Sequence, residues 1–389
     1  MTIMLRDPDL APILVALPQA RLVGGCVRDM LAGRTVADIA LATPDRPEAV
    51  LAALAGAGLR AIPTGLAHGT VTAISGGRPF EITTLRRDEE TDGRHARVTW
   101  TNDFTQDAAR RDFTINAMSL DQQGTLHDPF GGAADLASGR VRFVGEPARR
   151  IAEDYLRVLR FFRFFARYGR KPADEAAVTA IRAAAALPEG GLRRLSAERV
   201  WSEFKRILAI PDPRDTLALM AGLGVLAAVL PEARDMASLA KLVSLGAPAE
   251  PLLRLAALVG RVPQGAAGRL KLSGAERERL EQLCTGAAPQ AGDDAAALRR
   301  RLAEEPAEVL IGRSWLAADA ASLGTARQVL AAMQRPVFPL EGRDGLALGA
   351  EPGPKLGQAL RRVRAWWLEG GCAATAEECR MKLAEEVRQ

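Results

Sequence analysis

The stretch Arg21-Leu22-Val23-Gly24-Gly25-Cys26-Val27-Arg28-Asp29 decides how the opening part of the chain is read. A short apolar run ends in two adjacent glycines and is followed at once by an arginine. Paired glycines let backbone N–H groups come close to an anion, and Arg28 adds charge-assisted bonds suited to phosphate. A bare Gly-Gly pair is equally an ordinary tight turn. Outward from it, to about residue 145, short β-like runs alternate with Gly-rich turns and amphipathic stretches. Gly69 to Ile74 and Pro79 to Leu85 read as paired strands around Ser75-Gly76-Gly77. From Arg149 onward Ala, Leu and Arg dominate, and strand signals nearly vanish. Gly and Pro punctuate helices there, as at Pro211-Asp212-Pro213 and Val262-Pro263. The expected class is α+β: an α/β head followed by an all-helical remainder. Within the head, Arg87 to Asp103 is polar, holds Gly93 and lacks a clean period, which predicts a mobile loop. Pro336 to Pro354 is Gly/Pro-rich and is expected to set off a C-terminal helical tail.

Composition bounds the function. The chain has 389 residues, of which 48% are hydrophobic, 25% charged and 5% aromatic. That excludes a disordered chain and is too long for one small domain. No apolar run reaches the ~20 residues of a membrane span. Met1 to Ala20 lacks a basic start followed by an apolar block, so a cytoplasmic protein is expected. Cys26, Cys284, Cys372 and Cys379 show no metal-ligand spacing and read as free thiols in a reducing compartment. The net charge of +5, with a pI near 9.3, permits a nucleic-acid partner without demanding one. His68, His95 and His127 are the only histidines, too few for a His-Asp phosphohydrolase, and there is no Gly-Lys-Ser/Thr phosphate loop.

Four further segments could carry chemistry. In Asp38-Ile39-Ala40, carboxylates at i and i+2 of a strand would share a face and hold divalent metal, but only the first position is acidic. Glu81, in Phe80 to Arg86, is an acid in an apolar, β-branched run, a place that suits an exposed face or a nearby cation. Arg110-Arg111-Asp112-Phe113-Thr114-Ile115-Asn116 offers cations for a triphosphate, with Asp112 and Asn116 suited to ribose hydroxyls or local caps. Glu153 to Arg163 reads as one helix. A three-residue step turns about 60° short of a full circle, so Asp154, Arg157 and Arg160 share an arc opposite Tyr155, Val158, Leu159, Phe162 and Phe165. Arg163 falls further round. The arc is either a solvated, ion-paired face or a base-reading edge. For the second, a carboxylate accepts from the exocyclic amine of cytosine or adenine and rejects the carbonyls of uracil and guanine. Phe161 and Phe164, near the arc, either pack on the head or stack on a base.

Together with Asp128-Pro129-Phe130-Gly131-Gly132 through Asp135-Leu136, and Leu195-Ser196-Ala197-Glu198-Arg199, these motifs resemble the class II tRNA nucleotidyltransferases. Those are the CCA-adding enzymes of the poly(A) polymerase family. The likeness runs from Arg21 to about Leu208. It implies a nucleotidyltransferase head (1–145), a helical neck that recognises the nucleotide (146–208), a helical body (209–335) and a helical tail (336–389). By the resemblance Gly24, Gly25 and Arg28 bind the triphosphate, and Arg111 and Asp112 the incoming nucleotide. Asp154 and Arg157 read its base, with Arg160 and Arg163 completing the pocket. Asp38 is a catalytic metal ligand, for Mg²⁺, and Glu81 the third acidic position. CTP, ATP and tRNA are the implied partners, with neither DNA nor membrane. The protein itself is the template, and the loop at Arg87 to Asp103 aids the switch from C to A.

One position departs from the pattern. The family has Asp-x-Asp where this chain has Asp38-Ile39-Ala40, and Asp45 is a poor substitute because Pro44 breaks the strand. Impaired catalysis is expected, whether the residue was replaced to inactivate an enzyme or the chain is a natural paralogue. A bacterial poly(A) polymerase and a non-catalytic tRNA-binding paralogue remain as alternatives. The first usually carries a longer basic C-terminal extension, whereas this chain ends in Ala-Glu-Glu-Val-Arg-Gln.

Overall fold

The structure is a computed structural model that describes residues 6–91, 96–188, 191–260 and 263–388. The chain divides into two units, Met1–Pro231 and Glu232–Gln389.

In the first unit a seven-stranded sheet has the order β3-β4-β5-β2-β1-β8-β9. The strands are β1 (Arg21–Val23), β2 (Ala40–Thr43), β3 (Arg60–Gly65), β4 (Thr70–Ser75), β5 (Arg78–Thr84), β8 (Ser119–Leu120) and β9 (Leu126–His127). Only β2 and β5 pair parallel; every other pairing is antiparallel. The expected β4–β5 hairpin is present, and Gly76 and Gly77 both take positive φ (56° and 76°). A two-residue turn of that hand matches the twist of the flanking strands, and glycine adopts it without strain. Alternation along the strands splits the sheet. Leu22, Leu41, Val71, Phe80 and Ile82 face a core closed by α1 (Ala11–Ala16), α2 (Gly25–Leu31) and α3 (Pro47–Gly56). The other face carries Glu81 and a small apolar cluster of Val23, Ala40 and Ala42 with Leu85 and Phe104.

The segment read as a mobile loop is instead a two-stranded antiparallel ribbon, β6 (Arg86–Thr91) with β7 (Ala96–Trp100). Gly93 lies outside the described residues. Its first strand, Arg-Arg-Asp-Glu-Glu-Thr, is charged and polar throughout, so it leaves no hydrophobic alternation to read. Its base is fixed where the Trp100 ring lies on Gly69. A Cβ at Gly69 would fall 2.5 Å from that ring.

Helices follow: α4 (Phe104–Ala109) and α5 (Gly132–Ser138) in the head, then α6 (Pro147–Glu153), α7 (Leu156–Tyr168), α8 (Glu175–Ala185), α9 (Ala197–Leu208), α10 (Arg214–Gly222) and α11 (Val225–Val229). The join between sheet and helices is aromatic. Phe113 lies 4.8 Å from Phe143 and 5.2 Å from Phe164, and Phe143 stacks on Phe161 at 6.0 Å. Phe161 and Phe164 therefore pack on the head, and Phe164 also lines the cavity described below. On the far side of α7, Val158, Leu159, Phe162 and Phe165 are buried as expected, while Tyr155 is only partly so.

The second unit is helical among its described residues. Gly274–Cys284 opens on a capping box between Ser273 and Glu276. Its apolar clusters centre on Leu298, Leu310 and Leu330, and on Val363, Trp367 and Leu383. Pro336 to Pro354 contains one short helix, Gly342–Ala347. The four cysteines are free, and no helix among the described residues is long and apolar enough to cross a membrane.

Removing the Phe161 ring opens the aromatic join from its centre. Phe161→Ala should lower the unfolding free energy of the first unit by about 3–5 kcal/mol, read as a shifted urea midpoint at unchanged slope.

Candidate functional site

Gly24 turns the chain from β1 into α2 with φ +69°, and a Cβ there would sit 2.6 Å from Nη1 of Arg111. Glycine is required both by the backbone conformation and by the close approach of that guanidinium. One turn on, Arg28 donates to Oδ1 of Asn116 at 2.6 Å and to the Asp29 carboxylate at 3.1 Å. Its guanidinium lies between the rings of Phe164 and Tyr168, at 5.1 and 4.6 Å. Asn116 in turn donates to Asp112 at 2.9 Å, and Asp112 accepts from Nε of Arg160 at 2.7 Å and from the Phe113 N–H at 2.9 Å. A continuous polar thread thus runs from α2 through the Arg110–Asn116 segment into α7.

The carboxylates in this region each hold arginines. Asp112 is buried, which opposes its ionisation, but Arg160 and the Asn116 amide outweigh burial and hold its carboxyl below the usual range. Burial likewise opposes the Arg160 charge, and Asp112 more than restores it. Asp107 is also buried. Arg110 and Arg111, bonded to it at 2.9 and 3.1 Å, hold its carboxyl below the usual range against desolvation.

The expected single helix over Glu153 to Arg163 is broken. α6 ends at Glu153, and Asp154 is extended (φ −156°, ψ 107°). Its Oδ1 accepts the Leu156 N–H at 3.0 Å and so opens α7, while Oδ2 accepts from Arg199 at 2.6 Å. An aspartate that satisfies a free N–H at a helix start competes with helix continuation, which a periodicity count does not register. Arg157 bonds to Glu153 at 2.6 Å and to the Arg150 carbonyl at 2.7 Å. Asp154 and Arg157 therefore do not share a helical arc, although both reach the same cavity.

That cavity, of about 560 Å³, is lined by Gly24, Gly25, Arg28, Arg111, Asp112, Asp154, Arg157, Arg160 and Arg163. These are all the nucleotide-binding residues expected from the sequence. Arg110, Asn116, Arg199 and Arg206 also line it. Arg199 and Arg206 had not been singled out as site residues. With Glu203 they stand at i, i+4 and i+7 of α9, a spacing that puts them on one face and could have marked them. Asp38 and Glu81 do not line this cavity. The strand expected at Asp38 begins two residues later, because the β2 ladder starts where Ala40 pairs with Glu81. Asp38 is exposed in the approach to β2, and Glu81 is exposed beside Ala40. Asp45 is bonded to Thr43 Oγ1 at 2.6 Å.

As a metal site this donor set is incomplete. Ala40 offers no ligating atom, and no group of three or more His, Cys, Asp or Glu that could hold a metal occurs among the described residues.

Residues 20–142 match the Poly A polymerase head domain, and residues 174–236 the probable RNA and SrmB-binding site of polymerase A. The mitochondrial CCA tRNA nucleotidyltransferase 1 of Danio rerio is 45% identical over 210 residues, 53% of this chain and 48% of that protein. The CCA-adding enzyme of Geobacillus thermodenitrificans is 38% identical over 209 residues, 53% of this chain and 50% of its own. The chain thus spans about half the length of the curated relatives it matches. The crystal structure of the Bacillus stearothermophilus CCA-adding enzyme in complex with CTP superposes with a TM-score of 0.76 at 26% identity, over 98% of each chain. The likeness expected to fade near Leu208 therefore continues to residue 236 in sequence, and across nearly the whole chain in fold.

Asp112→Ala removes the closest partner of Arg160 and leaves it only Glu203 at 3.8 Å, and should cost about 3 kcal/mol of stability, with Asp112→Asn milder. The Asp112 carboxyl titrates lower in the folded than in the unfolded chain. Its stabilisation is complete above the ordinary carboxylate value of about 4 and is lost as pH falls through the native one. Urea titrations of wild type and Asp112→Asn should differ by a constant amount from about pH 8 to 5 and converge at lower pH.

Proposed function

We propose that this chain, whose residues 20–142 match the Poly A polymerase head domain, is a member of that family and adds C, C and A to tRNA 3′ ends from CTP and ATP without a nucleic-acid template. The observation that carries the reading is the single cavity walled on one side by Gly24, Gly25, Arg28 and Arg111 and on the other by Asp154, Arg157 and Arg199. The names of the matched relatives, a CCA tRNA nucleotidyltransferase and CCA-adding enzymes, support the same substrates.

In this reading the guanidiniums of Arg28, Arg110 and Arg111 balance the triphosphate. They are already held by Asn116, Asp29 and Asp107, so little reorganisation accompanies binding. Asp112 acts through Arg160 and Asn116 to fix that wall. Across the cavity, the Asp154 carboxylate accepts from N4 of cytosine or N6 of adenine, and Arg157 and Arg199 stand beside it. Uracil and guanine present a carbonyl at the same place and are repelled. Arg163 completes the pocket. Enzymes of this family generally use a divalent metal. Here it would be Mg²⁺, held by Asp38 and Glu81 with the nucleotide's own oxygens, and it would neutralise charge on the triphosphate. Ala40 removes the neighbouring ligand, so binding is retained and turnover is slowed. The division into head, neck, body and tail and a cytoplasmic setting belong to the same reading, the latter supported by the four free thiols. Ala40 also favours a second reading, a tRNA-binding paralogue without catalysis.

Incorporation of labelled CTP and ATP into tRNA lacking C-C-A tests this. Addition should stop after three residues and quicken at least ~100-fold in Ala40→Asp, about 3 kcal/mol of transition-state stabilisation. Continued adenylation would identify a poly(A) polymerase, and an inert Ala40→Asp protein a binding paralogue. Asp154→Ala should erode the preference for CTP over UTP by a factor of roughly 5 to 150, the worth of one bidentate contact of about 1–3 kcal/mol. Unaltered CTP/UTP competition would remove Asp154 from the base-reading role.

A further inference from the structure

A second cavity, of about 830 Å³, adjoins the first and shares Arg28, Arg163, Phe164 and Arg206 with it. Arg34, Arg167 and Tyr168 extend it away from the shared wall. Five arginines line it against one acid, Asp212, which is itself bonded to Arg214.

The arginines are short of counter-charge. Glu203 is buried and serves two of them, at 2.6 Å from Arg163 and 3.8 Å from Arg206, while also lying 3.8 Å from Arg160 of the first cavity. Burial, with Arg160 and Arg206 nearby, holds the Arg163 guanidinium below its ordinary value despite Glu203. Further along, Arg28, Arg34 and Arg167 surround the Tyr168 ring at 4.6, 5.1 and 5.6 Å. Tyr168 fixes the ring by donating its hydroxyl proton to Asp29. Arg34 donates to the Arg167 carbonyl at 2.8 Å, and neither residue is paired with a carboxylate among the described residues. Arg28 and the Tyr168 hydroxyl share the one carboxylate of Asp29, which leaves Arg34 and Arg167 as exposed cations on the same ring, open to an anion. Guanidinium forks on a rigid support match the oxygens of phosphate groups.

We infer that this second cavity is an anion site for inorganic diphosphate, separate from the nucleotide cavity and joined to it through Arg28, Arg163 and Arg206. The source of the diphosphate rests on the nucleotidyl-transfer reading. There the 3′ oxygen bonds to the α-phosphorus, the α–β bridging bond breaks, its electron pair leaves with diphosphate, and the hydroxyl proton passes to solvent. The arginine tract then gives the leaving group a place outside the nucleotide cavity, next to the wall where it is formed.

Equilibrium dialysis of labelled diphosphate against the full chain, at saturating CTP and fixed free Mg²⁺, tests the site. Diphosphate should bind with CTP in place. Arg34→Ala/Arg167→Ala should weaken it at least about tenfold, as expected for losing hydrogen bonds to a charged group. The same variant should keep CTP affinity within about twofold, since neither residue lines the nucleotide cavity, and lysine at both positions should restore part of the diphosphate binding. Displacement of all label by CTP would mean one shared site and would overturn the proposal. So would a double variant that binds diphosphate as wild type does, or one that loses a short single-stranded RNA while keeping diphosphate. A chain that fails to bind CTP yet holds diphosphate through Arg34 and Arg167 would sink the nucleotidyl-transfer reading and leave the anion site standing.

Discussion

The pairing of Asp112 with Arg160 is the constraint on which the site depends. A carboxylate with 8% of its surface exposed persists as an anion only because a guanidinium, an amide and a backbone N–H share its charge. Asp112 belongs to the segment after the sheet's ribbon and Arg160 to the long helix behind it. The ion pair therefore sets the distance between the sheet and the helices that wall the cavity. Through Asn116 the same carboxylate fixes Arg28, so the two walls share one electrostatic anchor.

Around this anchor the pattern is repeated with other acids. Asp107 secures Arg110 and Arg111, Glu153 secures Arg150 and Arg157, Asp154 secures Arg199, and Glu203 divides its charge among three arginines. Each acid removes freedom from a long side chain before any ligand arrives. The cations still outnumber the acids, so the cavity remains attractive to phosphate and fixed in shape. Preorganisation of this kind lowers the cost of binding without a closing motion.

The sheet's open face contrasts with that completeness. Ala40 stands in register with Glu81 and packs among Val23, Ala42 and Leu85. A second carboxylate at this position would face Glu81, and an alanine leaves only apolar surface. The arginine-lined cavity is thus densely paired while the strand position beside Glu81 offers no carboxylate.

The sequence by itself determined the strands around Gly24 and the Gly76-Gly77 turn, the helical remainder, and most of the residues that line the cavity, though not Arg199 or Arg206. Glycine at positive φ, alternation of buried residues and runs of arginine are local signals. Their physical causes act within a few residues. Tertiary structure alone decided the partners. Asp154 sits two residues before the helix whose first N–H it accepts, and its second oxygen is held by Arg199, forty-five residues away. Arg157 turns instead to Glu153. The polar ribbon at Arg86–Thr91 and Ala96–Trp100 formed without a hydrophobic period because strand pairing satisfies backbone groups whatever the side chains are. Phe161 and Phe164 could be assigned to the core only once the head was packed on them. A charged side chain carries no local information about which opposite charge will meet it, and that choice is made when distant elements come together.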